Sequence, residues 1–271
     1  MAIHAGRWGR LVLIAFILGG TSTASVAQSQ NSASQTTQEP KSSYIAPSGL
    51  NSDDIIARML ERNRLRNDRL QRYSAVRTYE IRNLEGKLAA QEVVRVDYQA
   101  PDKKTFHKTS EKGSGIVRHL VFDHLMQSEG ETSSGREHHN SAITTANYTF
   151  TLSGKEDVGP YHCFVLDATA KRKDKYLFEG KIWIDAEDFA VVKIAGHPAK
   201  KPSFWINRAD FVRQYQRIEG FWLPCRDETF VEVKIYGRRV FTVDHQQYVI
   251  NPAVPLQAET GATADSNERF R

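Results

Sequence analysis

The chain has 271 residues, of which 40% are hydrophobic and 10% aromatic, so it has enough apolar side chains for a sizeable core and is not intrinsically disordered. Its 37 basic and 32 acidic side chains give a formal net charge of +5, a surplus too small to predict a nucleic-acid-binding protein. The sign of the charge favours at most a weak, peripheral attraction to anionic lipid headgroups.

Residues 1–27 are typical of a cleavable signal peptide. Arg7 and Arg10 precede the apolar run Leu11–Leu18, and Ser25–Ala27 offers the small side chains that a signal peptidase recognises. The run is short for a permanent membrane helix, and an uncleaved anchor is the alternative interpretation. We predict a protein exported to the periplasm, with a polar leader over 28–48 that buries too little apolar surface to fold.

A helix is predicted to follow the leader. Asn51 or Ser52 caps it, and Asp53 and Asp54 lie in its first turn, where the helix dipole favours negative charge. The arginines on its polar faces indicate either a solvated surface of a helix packed on a sheet, or a contact with a membrane or partner. The thin apolar stripe favours the first interpretation. The stripe comprises Ile55, Ile56, Met59, Leu60, Leu70 and Tyr73, and the arginines are Arg58, Arg62, Arg64, Arg66, Arg69 and Arg72.

After Ala75 the apolar residues alternate, which predicts β-strands. A polar stretch over 127–141 is predicted to be an exposed loop, and residues 252–271 are expected to form a disordered tail. Strands in hairpin succession are predicted from Asn147 to Ile250. The elements before the loop are predicted at Val76–Asn83, Leu88–Tyr98 and Lys104–Glu111, followed by a short helix over 116–126.

The clearest hairpin consists of Lys181–Asp185 and Ala190–Ile194, joined by the polar link Ala186–Phe189. Ile182 and Ile184 point to one face of the sheet. About nine to eleven strands in hairpin order predict a single antiparallel sheet, which must curl because twist accumulates across its strands. We therefore predict an α+β fold over 49–251. It is a large curled antiparallel sheet, a half-open barrel, with the N-terminal helix and the inserted helix covering its concave face.

Candidate catalytic residues are few. Glu137, His138 and His139 lack the helical spacing that places two histidines on one metal ion. Asp244 and His245 are neighbours on a strand, so their side chains point to opposite faces. The sequence has no Gly-x-Ser-x-Gly nucleophile motif. We predict a protein that is not an enzyme and uses no cofactor or metal. A secreted metal-dependent hydrolase that uses the histidine-rich loop is the less favoured hypothesis.

The two cysteines, Cys163 and Cys225, lie in strand-like segments that are distant in sequence. In an oxidising compartment they could form one disulfide, which needs Cα atoms within about 7 Å of each other. Two buried free thiols that behave as small hydrophobic side chains are an equally supported interpretation.

Large apolar side chains are spread over many strands, which is compatible with a hydrophobic pocket on the covered face of the sheet. An ordinary filled core is the competing interpretation of the same residues. The predicted lining of the pocket consists of Val94, Val96, Tyr148, Phe150, Ile182 and Ile184.

Two stretches resemble the outer-membrane lipoprotein-sorting, or LolA-like, superfamily. The first is the strand–turn–strand of Gly180–Asp185 and Val191–Ile194, and the second is Tyr215–Ile218 followed by Gly220–Pro224. The resemblance covers about residues 51–250. It implies an incomplete antiparallel barrel with a hydrophobic cavity under a helical lid, which in that superfamily binds lipid, lipidated protein or apolar segments in the periplasm.

The chain also departs from that superfamily. The cavity arginine of the sorting carrier has no assigned counterpart here, although Arg77, Arg82 and Arg95 lie in the relevant early strands. The sequence therefore favours a secreted paralogue that acts as a carrier or sensor of a lipid, acyl chain or lipoprotein. A structural or protein-interaction domain with a filled core is the alternative.

Overall fold

The computed structural model describes residues 49–101, 103–123, 125–127, 129, 141–174, 176–201, 204, 206–234 and 237–252. The predicted signal peptide, the leader and the tail beyond residue 252 lie outside these residues. So does most of the predicted loop over 127–141, including Glu137, His138 and His139.

Helix α1 (Ser52–Arg69) begins and ends at clear local signals. The side chain of Asn51 accepts a hydrogen bond from the Asp54 backbone N–H at 2.9 Å, and the Asp54 carboxylate accepts one from the Asn51 N–H at 3.2 Å. This capping box satisfies two N–H groups that would otherwise lack partners. The helix ends earlier than predicted: Leu70 has extended backbone angles, and Tyr73 lies on the first strand.

The described residues form one antiparallel sheet of ten strands, which confirms the predicted fold class and strand number. The order across the sheet is β3-β2-β1-β10-β9-β8-β7-β6-β5-β4. The strands are β1 (Arg72–Asn83), β2 (Leu88–Gln99), β3 (Lys103–Gly113), β4 (Tyr148–Val158), β5 (Tyr161–Ala170), β6 (Phe178–Asp185), β7 (Val191–Pro198), β8 (Ile206–Ile218), β9 (Phe221–Val233) and β10 (Gly237–Ile250).

Only one pair of neighbouring strands, β1 and β10, is not consecutive in sequence. As a result, β3 and β4 are the two opposite edges of the sheet although they follow each other in the chain. The segment between them contains α2 (Gly115–Val117), a π-helical stretch (Arg118–Asp123) and helical residues at 125–127 and 129. We call these residues the insert. No helix in the described part of the chain is both long enough and apolar enough to cross a membrane.

The concave face of the sheet is buried in two main apolar clusters, one beneath helix α1 and one beneath the insert. The α1 cluster is centred on Ile55, Ile56 and Met59 of the helix. On the sheet it includes Tyr148, Phe150, Phe164, Leu166, Phe178, Ile182, Ile184 and Ile194. The insert cluster consists of Tyr79, Ile81, Ala90, Val94, Val96, Phe122, Met126, Phe241 and Val243. Two helical covers over one concave face agree with the predicted half-open barrel.

The hairpin of β6 and β7 contains the closest backbone approach among the glycines of the sheet. Gly180 pairs directly with Gly196. A Cβ atom added to Gly180 would lie 2.1 Å from the Ala195 carbonyl oxygen, and one added to Gly196 would lie 2.3 Å from that of Glu179. Both obstacles are backbone atoms, so the two strands keep this separation only because neither residue has a side chain.

We expect Gly180→Ala to destabilise the protein by about 3 kcal/mol or more, since the clash can be relieved only by moving the backbone. Gly159→Ala is the matched control. Gly159 has a φ of 57° in the β4–β5 turn and open space around it, so only the left-handed backbone conformation is penalised, by about 1 kcal/mol. Urea unfolding of both variants measures the difference, and equal losses would contradict the close approach.

Candidate functional site

Charged and polar side chains occupy the concave face between the two apolar clusters. We call this group the buried ionic network: Arg77, Lys104, Glu129, Arg213, Asp227 and His245. Strand register brings them together, because residues that are directly paired across a sheet point to the same face. Arg77 on β1 pairs with His245 on β10, and Arg213 on β8 pairs with Asp227 on β9.

The first half of the network joins the sheet to the insert. The Arg77 guanidinium donates two hydrogen bonds to the Glu129 carboxylate, at 2.6 and 3.0 Å, and Lys104 Nζ donates a third at 2.7 Å. Arg77 also donates to the Tyr79 hydroxyl at 3.3 Å. Although burial opposes ionisation of the carboxyl, the charges of Arg77 and Lys104 hold the pKa of Glu129 well below its usual range. Burial in turn lowers the pKa of Lys104, although the negative charge of Glu129 opposes that shift.

The second half of the network lies on β8, β9 and β10. Arg213 donates two hydrogen bonds to the Asp227 carboxylate, one of them at 2.9 Å from Nη2. His245 Nε2 lies 3.0 Å from the second carboxylate oxygen, Oδ2. Burial opposes ionisation of Asp227, but the charge of Arg213 and the His245 hydrogen bond shift its pKa strongly downward. Burial lowers the pKa of His245, with Asp227 opposing the shift and the charges of Arg77 and Arg213 adding to it.

Two buried nitrogens of this network have no hydrogen-bond partner within the described residues. They are Arg77 Nε and His245 Nδ1. The two residues are only 6% and 5% exposed, so the lack of a partner carries a desolvation cost. Arg77 Nε is a donor, whereas Nδ1 of a neutral His245 that donates from Nε2 to Asp227 is an acceptor, so one buried donor and one buried acceptor lack partners here.

Asp244 does not take part in the network, as expected for a residue next to His245 on a strand. It faces the other side of the sheet and accepts a hydrogen bond from Arg226 at 2.6 Å. The carboxylate that contacts His245 is instead that of Asp227 on the neighbouring strand β9. Lys104, Glu129, Arg213 and Asp227 were not singled out from the sequence. For Arg213 and Asp227 a signal exists, because they are nearly equidistant from the Glu219–Gly220 turn of their hairpin.

The six residues predicted to line a pocket do not lie in one place. Val94 and Val96 belong to the insert cluster, whereas Tyr148, Phe150, Ile182 and Ile184 belong to the α1 cluster. All six are buried, with Phe150 the most exposed at 8%. Their placement on the concave face was expected; their role as ligand contacts stays a prediction.

Helix α1 and the insert are each held on the sheet by a few specific contacts. In the insert, the Phe122 ring centroid lies 5.7 Å from that of Tyr79 and 5.9 Å from that of Phe241. In α1, Arg62 pairs with Asp188 at 3.0 Å, and the Arg58 guanidinium lies 4.9 Å from the centre of the Phe189 ring. At least part of the arginine-rich surface of α1 therefore fastens the helix to the β6–β7 turn.

Cys163 and Cys225 are free thiols in the structure, on β5 and β9. Burial raises the pKa of Cys163 to about 12, with the charge of Asp185 adding to the shift, and burial also raises the pKa of Cys225. A high pKa disfavours the thiolate that a nucleophilic cysteine needs. Among the described residues there is also no group of three or more His, Cys, Asp or Glu side chains that could hold a metal ion.

Neither known protein-family profiles nor curated proteins match the sequence. Some solved structures are similar to this chain at low sequence identity. A DUF1329 family protein from Desulfovibrio piger is 13% identical, with a TM-score of 0.38 over 74% of this chain and 94% of that one. A LolA superfamily protein from Nitrosomonas europaea is 11% identical, with a TM-score of 0.34 over 76% and 96%.

A third similar structure is an outer membrane lipoprotein-sorting protein domain from Vibrio parahaemolyticus. It is 12% identical, with a TM-score of 0.37 over 73% of this chain and 94% of that one.

We expect Asp227→Asn to destabilise the protein by about 3 kcal/mol, because it leaves the Arg213 charge buried without its carboxylate. Asp244→Asn is the matched control, since the Arg226–Asp244 pair is more exposed and is expected to contribute less than about 1 kcal/mol. Chemical unfolding of both variants measures the contrast. Similar losses would mean that the buried pair contributes no more than a surface pair.

The network also predicts that acid destabilises the protein in two stages. His245 has a lowered pKa in the folded state, so the unfolded chain takes up the proton first and stability falls below about pH 6.5. The carboxyls of Glu129 and Asp227 also have lowered pKa values. Their contribution is complete above about pH 5 and is lost as the pH falls through the folded-state values.

Urea unfolding between about pH 4 and 8 measures the first stage and the start of the second, with a slope of at most about 1.4 kcal/mol per pH unit for each proton taken up. His245→Gln retains a nitrogen donor towards Asp227 and should remove the first stage only. A first stage that persists in this variant would assign it to another group.

Proposed function

We propose that the protein is an exported, non-enzymatic carrier or sensor that binds a lipid, acyl chain or lipoprotein on the concave face of its sheet, beneath the insert. The observation that carries the proposal is the cover of the insert cluster. Seven apolar residues of the sheet are buried there in one cluster with Phe122 and Met126 of the insert. They are Tyr79, Ile81, Ala90, Val94, Val96, Phe241 and Val243.

The free energies of burying apolar groups support a ligand that replaces the side chains of the insert on the concave face. Burying a Phe or Met side chain contributes about 1.5–3 kcal/mol, and a buried methylene about 0.8 kcal/mol. A chain of about eight methylenes would therefore offset the loss of both insert side chains. The helical pieces of the insert are short, and pieces of this kind separate from a fold more readily than a long helix does.

The signal peptide predicted for residues 1–27 supports a periplasmic location, and the mild positive charge supports a peripheral contact with a membrane surface. A domain with a filled core remains the competing function. It is supported by the tight burial of the six predicted lining residues.

The test is binding of an amphiphile. Native mass spectrometry of protein purified from the periplasm is expected to reveal a bound lipid or acyl chain, and a fluorescent fatty acid is expected to bind the purified protein. Val94→Phe fills the concave face and should weaken binding about tenfold or more. Val93→Phe is the matched control, because Val93 is the neighbouring residue and faces the opposite side of β2.

Circular dichroism and urea unfolding establish that both variants are folded. If neither a co-purified amphiphile nor probe binding is found with the wild-type protein, the carrier function is wrong and the filled-core alternative stands.

A further inference from the structure

The insert places a carboxylate on two cations that belong to the sheet. Arg77 on β1 and Lys104 on β3 both point into the concave face, and their side chains are only 7% and 10% exposed. Glu129 accepts hydrogen bonds from both, with Arg77 gripping its two oxygens in a bidentate pair. The two cations therefore belong to strands of the sheet, whereas the carboxylate that they bind belongs to the insert.

Two other buried carboxylates are already engaged, and one of them, Glu92, pairs with Lys108 on β3. Asp227 is held by Arg213 and His245 on the adjoining strands. If the insert moved away, Arg77 and Lys104 would remain on the concave face without Glu129. An anionic ligand that takes the place of Glu129 would restore the pairing of these two cations beneath the displaced insert.

The geometry around Arg77 also suits a ligand with an anionic head. Its Nε is buried and has no partner in the described part of the chain, so Arg77 has one more donor that Glu129 does not use. The planar fork of an arginine fits a carboxylate in a bidentate manner, and the Glu129 carboxylate shows that a group of this size fits between Arg77 and Lys104.

Apolar surface begins immediately beside this cation pair. Val94 pairs with Arg77 across β1 and β2 and belongs to the insert cluster. Phe106 lies on the other side, with its ring centre 5.9 Å from the Arg77 guanidinium carbon. A head group held by Arg77 would therefore have its tail directed along Val94 and the other side chains beneath the insert.

We propose that Arg77 and Lys104 form the binding site for the carboxylate head of a single-chain amphiphile such as a fatty acid, and that Glu129 is an internal substitute for that carboxylate. Ligand binding then exchanges one carboxylate for another and moves the insert with Glu129 attached. This inference rests on the proposed function, because it specifies the class of acyl ligand that the concave face takes.

The experiment compares two fluorescent probes with the same chain, dansyl-undecanoic acid and its methyl ester. Wild-type protein is expected to bind the acid about tenfold more tightly than the ester, because only the acid offers a charged bidentate acceptor. Arg77→Met should abolish this preference while leaving ester affinity within about twofold. Arg82→Met is the matched control, since Arg82 lies on the same strand, faces the other side and pairs with Glu80.

Glu129→Gln is expected to raise the affinity for the acid more than that for the ester, because it loosens the insert for both probes but removes a competing carboxylate for the acid alone. If Arg77→Met fails to fold, the double variant Arg77→Met/Glu129→Gln removes both charges of the pair and should likewise lose the preference. Acetate at concentrations that match the probe should not displace it, since the chain contributes most of the affinity.

The outcomes separate the two proposals. Equal affinity for acid and ester in the wild type, unchanged by Arg77→Met, would overturn the carboxylate site and leave the carrier function in place. Failure of both probes to bind the wild type would overturn the carrier function itself. Displacement by acetate would identify a site for free carboxylates rather than for amphiphiles.

Discussion

The concave face of a ten-stranded sheet has to be buried by one long helix and the short helical pieces of the insert. Curling of the sheet reduces the apolar area that these helices have to bury, because it lets side chains from distant strands meet across the concave face. The strand order explains how the remaining area is buried. Since β3 and β4 are opposite edges and consecutive in the chain, the segment between them has to pass from one edge to the other, and it covers the area that α1 does not reach.

Stability alone does not account for the charged side chains on this inner face, because well-packed apolar residues are often as stable as a buried ion pair. The network instead gives the insert one defined position. Phe122 and Met126 would pack against many arrangements of apolar side chains, but Glu129 fits only where Arg77 and Lys104 converge. Polar contacts of this kind specify where a cover docks more than how tightly it docks.

Much of the fold could be predicted from local patterns. Alternation along β6 and β7, the cap at Asn51 and the turn at Glu219–Gly220 each act within a few residues. The end of α1 was predicted too late, because Leu70 and Tyr73 continue the helical spacing but are buried by the sheet. The ionic network could not be predicted, since it depends on the register of β1 with β10 and on where the insert places Glu129.

The pairing of β1 with β10 sets the order in which the chain can fold. Asn83 pairs with Arg239 and Tyr73 with Ile250, so two adjacent strands of the sheet come from opposite ends of the described fold. The strands β1–β3 and β4–β10 form two meanders from local hairpins, but joining them closes a loop that spans most of the domain, and such non-local pairing is slow. A nascent chain that still lacks β10 therefore presents open meanders with uncovered apolar faces and is prone to aggregate until its last strand is complete.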